Sequence, residues 1–431
     1  MKNKSFKLNL LAAGVLLAIS GQGFADGYSF TDLGVGNLPT SQYQTADSYA
    51  TGINNAGQVT GSAGYNINYN FNNSNPWGNF GGVSGNTNSG AGGGYAGYMG
   101  GNISSEAVTW SGGNVSSLGV LTNGNGYNVA YGTNNSGQVA GSVDTSSVVV
   151  GGAGPGAQAI TWNGLTGTQL ESPGSNGVAY GINNSGEVAG NTVYYSPDYS
   201  QTVATTWNGG IATQLSLIGG DYSSAYGINN SGIVVGTSNI AADDAVTHAA
   251  KWVGSTVVDL GTLGGSSSLA YAINNSNQIV GDSYATGDAA FYATIWNGTT
   301  ATSLGTLGGT NSNAYAINNS GVVVGDSLIA GDTATHATVW ISGLATDLNN
   351  YLNATTLAQG WILTQATGVN DTGSIVGNAY NTITGSTQAF LLAPITSVVS
   401  SSVPEPTAYA LLLTGLGFMF AARRRKVSQS M

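Results

Sequence analysis

A short alternation of apolar and turn-forming residues recurs seven times along the chain. In the clearest copy, the apolar segment Ala314–Ile317 leads into Asn-Asn-Ser-Gly, and Val-Val-Val-Gly follows as far as Gly325. Asparagine and glycine tolerate the positive φ that a tight hairpin loop requires, so each copy predicts two strands joined by a turn. The first asparagines of the seven copies are Asn54, Asn134, Asn183, Asn229, Asn274, Asn318 and Asn370.

A second predicted hairpin follows each copy. A strand ending in tryptophan runs into a turn such as Asn163-Gly164, and a short strand ending in Leu-Gly, such as Leu260-Gly261, comes after it. The tryptophans are Trp110, Trp162, Trp207, Trp252, Trp296 and Trp340, and the segment Gln388–Leu392 takes their place in the last copy. Each unit is therefore four short strands in about 45 residues, the size of a propeller blade.

The order of the strand types indicates how the repeats close. A Leu-Gly strand, Thr31–Gly34, precedes the first asparagine motif, and the last copy has no such strand after Gln388–Leu392. A ring in which the N-terminal strand completes the last blade explains this offset and leaves no exposed sheet edge, whereas an open β-solenoid does not require it. The sequence thus predicts an all-β fold over residues 26–394: a seven-bladed β-propeller of four-stranded blades, with one blade more or fewer as the alternative.

Several phrases of the repeat resemble a known family. They are DLGTLGG (Asp259 to Gly265), AYAINNSGVVVG (Ala314 to Gly325) and QAFLL (Gln388 to Leu392), and together they resemble the extracellular HAF-repeat family over about residues 28–394. The His-Ala-Phe triplet of that family is never intact in this chain. The resemblance implies an extracellular repeat protein and brings no established biochemical activity with it.

The N-terminus has the pattern of a secretory signal peptide. Lys2, Lys4 and Lys7 precede an apolar run over residues 8–19, and Gly23-Phe24-Ala25 supplies small residues at the −3 and −1 positions. We expect export and cleavage after Ala25. A retained membrane helix is the weaker interpretation, because the run is shorter than the ~20 residues that span a bilayer.

The C-terminus carries a second sorting pattern. Pro404, Glu405 and Pro406 are followed by an apolar segment over 407–422 and by the basic cluster Arg423, Arg424, Arg425 and Lys426. This order predicts a single transmembrane helix in the precursor, with the basic cluster on the cytoplasmic side. The last 28 residues or so resemble the PEP-CTERM sorting signal (404–431) of Gram-negative bacteria.

That resemblance implies recognition and removal of the tail by an exosortase, with a transient inner-membrane anchor and a final place at the cell surface or outside the cell. Residues 395–403 read as a Ser-rich spacer before the signal. An ordinary single-pass anchor is the alternative interpretation of the tail.

Composition and charge narrow the partners. The 431 residues include 68 glycines and no cysteine, which excludes disulfides and thiolate metal sites. Seven of the eight basic residues lie near the termini, so the chain offers no basic face for nucleic acid. Without 1–25 and 404–431, 18 acidic residues face Lys251 alone, a net charge of about −17. Any hold on an anionic polymer would need aromatic, amide or bridging-cation contacts.

The two histidines invite a metal or catalytic interpretation. His248 and His336 each lie four residues before the tryptophan of their repeat. The same slot holds Glu106, Gln158, Val203, Tyr292 and Gln388 in the other copies. Because the slot holds such different side chains, we expect a surface position on a strand and no shared site. The sequence also offers no third ligand for a zinc site.

The acidic residues follow the repeat as well. Asp282 and Asp326 follow the glycine that closes the second strand, in a generically polar slot that elsewhere holds Ser62, Ser142, Asn191, Thr237 and Asn378. Asp243, Asp244, Asp288 and Asp332 fall between the second and third strands, where oxygen ligands would suit calcium, but the spacing of a calcium loop is absent. We expect no cofactor and no catalytic residue. We also expect the regularly spaced tryptophans to lie in the core.

One segment breaks the repeat. Residues 63–102 form an uncharged Gly/Asn-rich insertion in the first blade. Insertions of this kind project from one face of a repeat array, often the binding face. Its aromatic residues would suit stacking on sugar rings or on neighbouring proteins, and a Gly/Asn spacer is the alternative. They are Tyr65, Tyr69, Phe71, Trp77, Phe80, Tyr95 and Tyr98.

These features favour a non-catalytic binding or structural protein of the cell surface or extracellular matrix, with exopolysaccharide of a biofilm or other surface proteins as partners. A secreted carbohydrate-active enzyme, a lyase or glycosidase on a propeller scaffold, is the alternative, because the carboxylates of such a site need not be close in sequence. A purely self-assembling matrix protein is a third hypothesis.

Overall fold

The computed structural model describes residues 27–36, 46–65, 105–119, 128–144, 156–174, 176–196, 199–241 and 246–395. These residues form seven antiparallel sheets of four strands each. Blade 1 contains β2 (Ala46–Ile53), β3 (Val59–Tyr65), β4 (Ser105–Ser111) and β5 (Asn114–Ser117). Blade 2 contains β6 (Asn128–Thr133), β7 (Gln138–Asp144), β8 (Ala157–Asn163) and β9 (Thr166–Gln169). Blade 3 contains β10 (Asn176–Ile182), β11 (Val188–Ser196), β12 (Tyr199–Asn208) and β13 (Ile211–Gln214).

The remaining four blades follow the same order. Blade 4 contains β14 (Ser223–Ile228), β15 (Val234–Asn239), β16 (Thr247–Val253) and β17 (Thr256–Asp259). Blade 5 contains β18 (Gly264–Ile273), β19 (Gln278–Ala285), β20 (Phe291–Asn297) and β21 (Thr300–Ser303). Blade 6 contains β22 (Gly308–Ile317), β23 (Val323–Ile329), β24 (Thr335–Ile341) and β25 (Leu344–Asp347). A 3-10 helix (Leu348–Tyr351) and α1 (Ala354–Ala358) lead to blade 7, which contains β26 (Trp361–Val369), β27 (Ile375–Asn381), β28 (Thr387–Pro394) and β1 (Tyr28–Asp32).

The first strand of the chain closes the ring, as predicted. β1 pairs with β28 from Tyr28 opposite Pro394 to Asp32 opposite Phe390. Beyond this strand, the indole N–H of Trp110 in blade 1 donates to the carbonyl of Gly34, 3.0 Å away. The N-terminal strand therefore completes blade 7, the residues just after it contact blade 1, and the predicted seven-bladed propeller is confirmed.

The tryptophans are core residues, also as predicted. All six are at most 2% exposed. Trp340 of blade 6 packs against Val280 and Ala293 of blade 5, so each large ring fills the space between neighbouring blades. In blade 7 the slot is occupied by Leu392, which pairs with Ile375 as Trp340 pairs with Val323.

Every inner strand contains a β-bulge at the same place. In β18 the register shifts between Ala270 and Ala272, which leaves Tyr271 without a partner residue on β19. A bulge bends the strand and redirects the side chain of the extra residue. The extra residues of the seven inner strands are Thr51, Tyr131, Tyr180, Tyr226, Tyr271, Tyr315 and Thr367.

The up-and-down order of the strands gives the ring two faces. The asparagine turns join the first and second strands of each blade, and they define the Asn face. The turns between third and fourth strands lie on the same face, whereas the other connections lie on the opposite face. β3 ends and β4 begins at that opposite face. The predicted insertion at 63–102 begins too early, because Ala63 to Tyr65 belong to β3.

No helix among the described residues is long and apolar enough to cross a membrane. The predicted transmembrane segment at 407–422 lies outside the described residues, as do the spacer at 396–403, the signal peptide at 1–25 and the sorting motif of Pro404, Glu405, Pro406 and Arg423 to Lys426.

Candidate functional site

The first asparagine of each repeat joins two blades. The Oδ1 atom of Asn229 accepts the backbone N–H groups of Ser231 and Ile233, both at 3.0 Å, which fixes its own turn. Its Nδ2 donates to the carbonyl of Asn274 in the next blade at 3.2 Å. The same inter-blade bond occurs at all seven junctions, at 2.8–3.2 Å, and Asn370 closes the ring on Asn54. The repeated asparagine is thus a structural tie.

The second asparagine of each repeat forms another closed ring at the surface. The backbone N–H of Asn184 donates to Oδ1 of Asn230 at 3.0 Å, and equivalent bonds of 2.9–3.1 Å run round all seven blades. Asp371 stands in the asparagine position of blade 7 and makes the same two bonds. Both rings lie at the end of the central channel on the Asn face.

In this second ring, some side-chain amides donate hydrogen bonds to protein atoms and others do not. The Nδ2 groups of Asn55 and Asn319 both donate to Oδ2 of Asp371 at 2.8 Å. Burial tends to raise the pKa of Asp371, but these bonds and the N–H of Asn319 outweigh it and place its pKa below the usual value. The Nδ2 groups of the other four, in contrast, have no hydrogen-bond partner among the described residues. They belong to Asn135, Asn184, Asn230 and Asn275.

The two rings surround a cavity of about 170 Å³, which we call the Asn mouth. Its walls are the paired asparagines and Asp371. Ile53, Thr133, Ile182, Ile228, Ile273, Ile317 and Val369 also line it, but the aliphatic side chains among them pack in the cores between blades, so the exposed surface of the cavity is mostly polar. The Asn mouth therefore offers mainly uncharged hydrogen-bond donors.

An aromatic layer lies deeper in the channel. The bulged residues Tyr131, Tyr180, Tyr226, Tyr271 and Tyr315 lie side by side in tilted or edge-to-face contacts, with ring centroids 5.0–5.8 Å apart. Burial raises the pKa of Tyr180, Tyr226 and Tyr271 well above the usual value, so these hydroxyls stay protonated. Thr51 and Thr367 complete the layer, and each donates to a backbone carbonyl of the next blade.

The slot that Asp282 and Asp326 share holds a polar side chain in every blade, and the structure buries all seven of these side chains. Asp282, 3% exposed, accepts from the hydroxyl of Tyr271 at 3.2 Å. Asp326 accepts from the hydroxyl of Tyr315 at 3.1 Å and from the amides of Asn313 and Gln365. Burial raises the pKa of Asp282 to about 7, with a further rise from the Asp326 carboxylate, and burial raises the pKa of Asp326 to about 6.

The raised pKa of Asp282 gives a pH-dependent stability. Between its ordinary pKa near 4 and about 7, the folded protein holds a proton on Asp282 that the unfolded chain has lost, so stability falls as pH rises through this window. We expect thermal unfolding at a lower temperature at pH 8 than at pH 5. The Asp282→Asn variant should recover on the order of 2 kcal/mol at pH 8, because asparagine already fills the slot at Asn191 and Asn378. An identical pH profile for wild type and variant would refute the assignment.

The two histidines make matching cross-strand pairs. His248 Nδ1 lies 2.9 Å from a carboxylate oxygen of Asp259, and His336 Nδ1 lies 2.6 Å from Asp347. In blade 2 the same two positions hold Gln169 and Gln158, hydrogen-bonded at 3.0 Å. The pairs therefore tie the third strand of a blade to the fourth.

The prediction that this slot is a surface position holds only in part. Gln158 and Val203 are buried, at 7% and 6% exposed, whereas the other five members, the two histidines among them, are partly exposed. Burial tends to raise the pKa of Asp347, but hydrogen bonds from His336 and Asn349 hold it below its usual value.

The loop acids fasten their own blades. Asp288 accepts the backbone N–H of Ser266 at 2.7 Å, and Asp332 accepts that of Thr310 at 2.8 Å. Asp243 and Asp244 lie outside the described residues. Within the described part of the chain, no group of three or more His, Asp or Glu side chains is placed to hold a metal ion.

The remaining predicted site residues cannot be placed. Ala25, the sorting motif and the aromatic residues Tyr69, Phe71, Trp77, Phe80, Tyr95 and Tyr98 lie outside the described residues, and only the backbone of Tyr65 is described, at the end of β3. The Asn mouth, in turn, is the site that the sequence reasoning did not identify. Its signal is present in six Asn-Asn pairs and in the Asn-Asp pair of the last copy, which the sequence pattern predicts only as turns.

Comparison with known proteins identifies the tail. Residues 402–426 match the family model of the PEP-CTERM protein-sorting motif. No curated protein matches the chain. Among solved structures, the chain is similar to the crystal structure of TolB from Acinetobacter baumannii, with 10% identity and a TM-score of 0.36. That match covers 60% of this chain and 63% of the TolB chain, less than two thirds of its length. The match to the sorting motif indicates an exported protein that an exosortase recognises at the membrane.

Proposed function

We propose that the propeller is a non-catalytic binding or structural protein of the cell surface or extracellular matrix that associates with exopolysaccharide in a biofilm. The observation that carries this proposal is the Asn mouth, a mostly polar cavity ringed by neutral amide donors. Such a site binds by hydrogen bonds, and its one carboxylate, Asp371, already accepts from Asn55 and Asn319.

The two ends of the chain support export followed by processing by an exosortase. Cleavage after Ala25 would release the N-terminus, the apolar segment at 407–422 would hold the precursor in the inner membrane, and exosortase would remove the tail beyond the spacer at 395–403. The resemblance of the repeats to the HAF-repeat family agrees with an extracellular place.

The negative charge of the mature protein restricts which polysaccharides it can bind. With 18 acidic residues against Lys251, the domain repels polyanions at low ionic strength. A neutral polysaccharide meets no such barrier. An anionic one would need a bridging cation such as calcium, for which the described residues supply no ready-made cluster.

A secreted glycosidase or lyase is the competing function, and the Asp282–Asp326 pair is the place to look for it. A glycosidase needs two carboxyl groups on either side of a bond in an open cleft. Asp282 and Asp326 are 3% and 5% exposed and are bound to the tyrosine hydroxyls of the aromatic layer. This burial favours a structural role for the pair.

The test uses purified residues 26–403, which contain every strand of the ring. We expect the immobilised exopolysaccharide of the producing cell to retain this protein, with no release of reducing or unsaturated sugar ends. Absence of retention would contradict the binding function, and release of sugar ends would favour the enzyme. A variant in which a short Gly/Ser linker replaces 66–104 measures how much of the retention depends on the insertion, because Gly64 pairs with Ser105 and the β3–β4 hairpin needs a loop.

A further inference from the structure

Four donors in the Asn mouth lack partners, and their arrangement is fixed. The Oδ1 atoms of Asn135, Asn184, Asn230 and Asn275 are held by backbone N–H groups of the preceding blades at 3.0–3.1 Å. These bonds orient the carboxamides, so the four NH₂ groups stand in an arc along blades 2 to 5. Preorganised donors of this kind bind a ligand with little loss of side-chain entropy.

The charges of the mouth argue against an ion. Asp371 is ionised and the domain is strongly acidic, which disfavours an anion. A cation would need free oxygen ligands. Both carboxylate oxygens of Asp371 are already occupied, by Asn319 and Asn55. The fitting ligand is uncharged and rich in oxygen acceptors.

The shape of the mouth argues for a compact ring. An extended peptide offers its carbonyls along a line and is best bound along a strand edge. Residues of all seven blades surround the Asn mouth, which is open to solvent on the Asn face, so its ligand enters along the channel axis. A pyranose ring offers oxygen acceptors around its circumference, which suits donors set around a ring. The cavity of about 170 Å³ has room for about one such ring.

We propose that the Asn mouth binds one neutral sugar residue, a chain end or a side branch of a polysaccharide, through the unpaired amides of Asn135, Asn184, Asn230 and Asn275. This inference rests on the proposed function and assigns it a site. A chain end or a branch is expected because the turns of all seven blades surround the site, so a sugar reaches it along the channel axis.

The chain itself shows how to test the site without breaking the ring. In blade 7 an aspartate, Asp371, keeps the ring bonds through its Oδ1. The double variant Asn184→Asp/Asn230→Asp should therefore stay folded while it replaces two free donors with acceptors. The matched control, Asn163→Asp/Asn297→Asp, adds the same charge at two exposed positions on turns of the Asn face outside the ring.

The probes are the intact exopolysaccharide and the neutral oligosaccharides released from it, with thermal unfolding to verify that each variant is folded. We expect the ring variant to bind both at least about tenfold more weakly than wild type, and the control to bind as wild type does. Equal oligosaccharide affinity in wild type and ring variant would overturn the site while polymer retention leaves the proposed function standing. Displacement of the sugar by inorganic phosphate or by an uncharged peptide would overturn the sugar assignment. A wild type that retains no polymer would refute the proposed function itself.

Discussion

Replacing Gly281 with alanine should destabilise the propeller by about 3 kcal/mol or more. A Cβ on Gly281 would lie inside van der Waals contact of the carbonyl oxygen of Leu269 and 2.9 Å from Cα of Ala270. Both belong to the inner strand β18, where the bulge at Tyr271 brings the two backbones close together. The clash is with backbone atoms, so relief would require loss of the bulge and displacement of Tyr271. Denaturant or thermal unfolding measures the change.

Gly287 provides the matched control. It adopts a left-handed φ of +88° but has open space where a Cβ would be. Gly287→Ala should therefore lower the free energy of unfolding only through the strained backbone conformation, by about 1 kcal/mol. Gly281 has no such φ, and its requirement for glycine is steric. Equal losses for the two variants would contradict the bulge account. The same crowding occurs at the glycine that closes each of the other six repeats, Gly61, Gly141, Gly190, Gly236, Gly325 and Gly377.

The second large effect is expected at Asn229. Asn229→Ala removes the acceptor for two backbone N–H groups and the donors to the carbonyl of Asn274 and to Asn277. Asn229 is only 3% exposed, so water cannot replace these bonds. Since an unsatisfied buried polar group costs about 1–3 kcal/mol, we expect a loss of about 3–5 kcal/mol in the free energy of unfolding.

The neighbouring Asn230 tests whether this loss comes from the inter-blade tie. It has the same chemistry but is exposed, and its Oδ1 accepts one backbone N–H, from Asn184. Asn230→Ala should therefore cost about 1 kcal/mol or less. If the two variants lose similar stability, the buried ring does not hold the blades together.

The architecture could be read from the sequence because it repeats. Seven copies of one turn and six tryptophans set the number of blades, and the early Leu-Gly strand at Thr31–Gly34 revealed the closure. Such patterns report local geometry and periodic burial, which adjacent residues determine.

The candidate site was less accessible to sequence reasoning. The bonds that make the Asn mouth join residues 44 to 80 positions apart and, at the seam between Asn370 and Asn54, 316 positions apart. Asn54 and Asn55 look alike in a turn motif, yet one is buried between blades and the other faces the mouth. The polar composition of the Asp282 slot does not reveal its burial. The structure buries all seven members of the slot, and in blade 5 the Tyr271 hydroxyl donates to Asp282.

The central claim is that the Asn mouth holds a neutral sugar residue, and a crystal structure of residues 26–403 with a neutral oligosaccharide of the producer's exopolysaccharide tests it most directly. We predict one sugar ring in the mouth, with its oxygens at hydrogen-bond distance, about 2.7–3.2 Å, from Nδ2 of Asn184 and Asn230. An oligosaccharide bound only at the opposite face, with no sugar in the Asn mouth, would contradict the account.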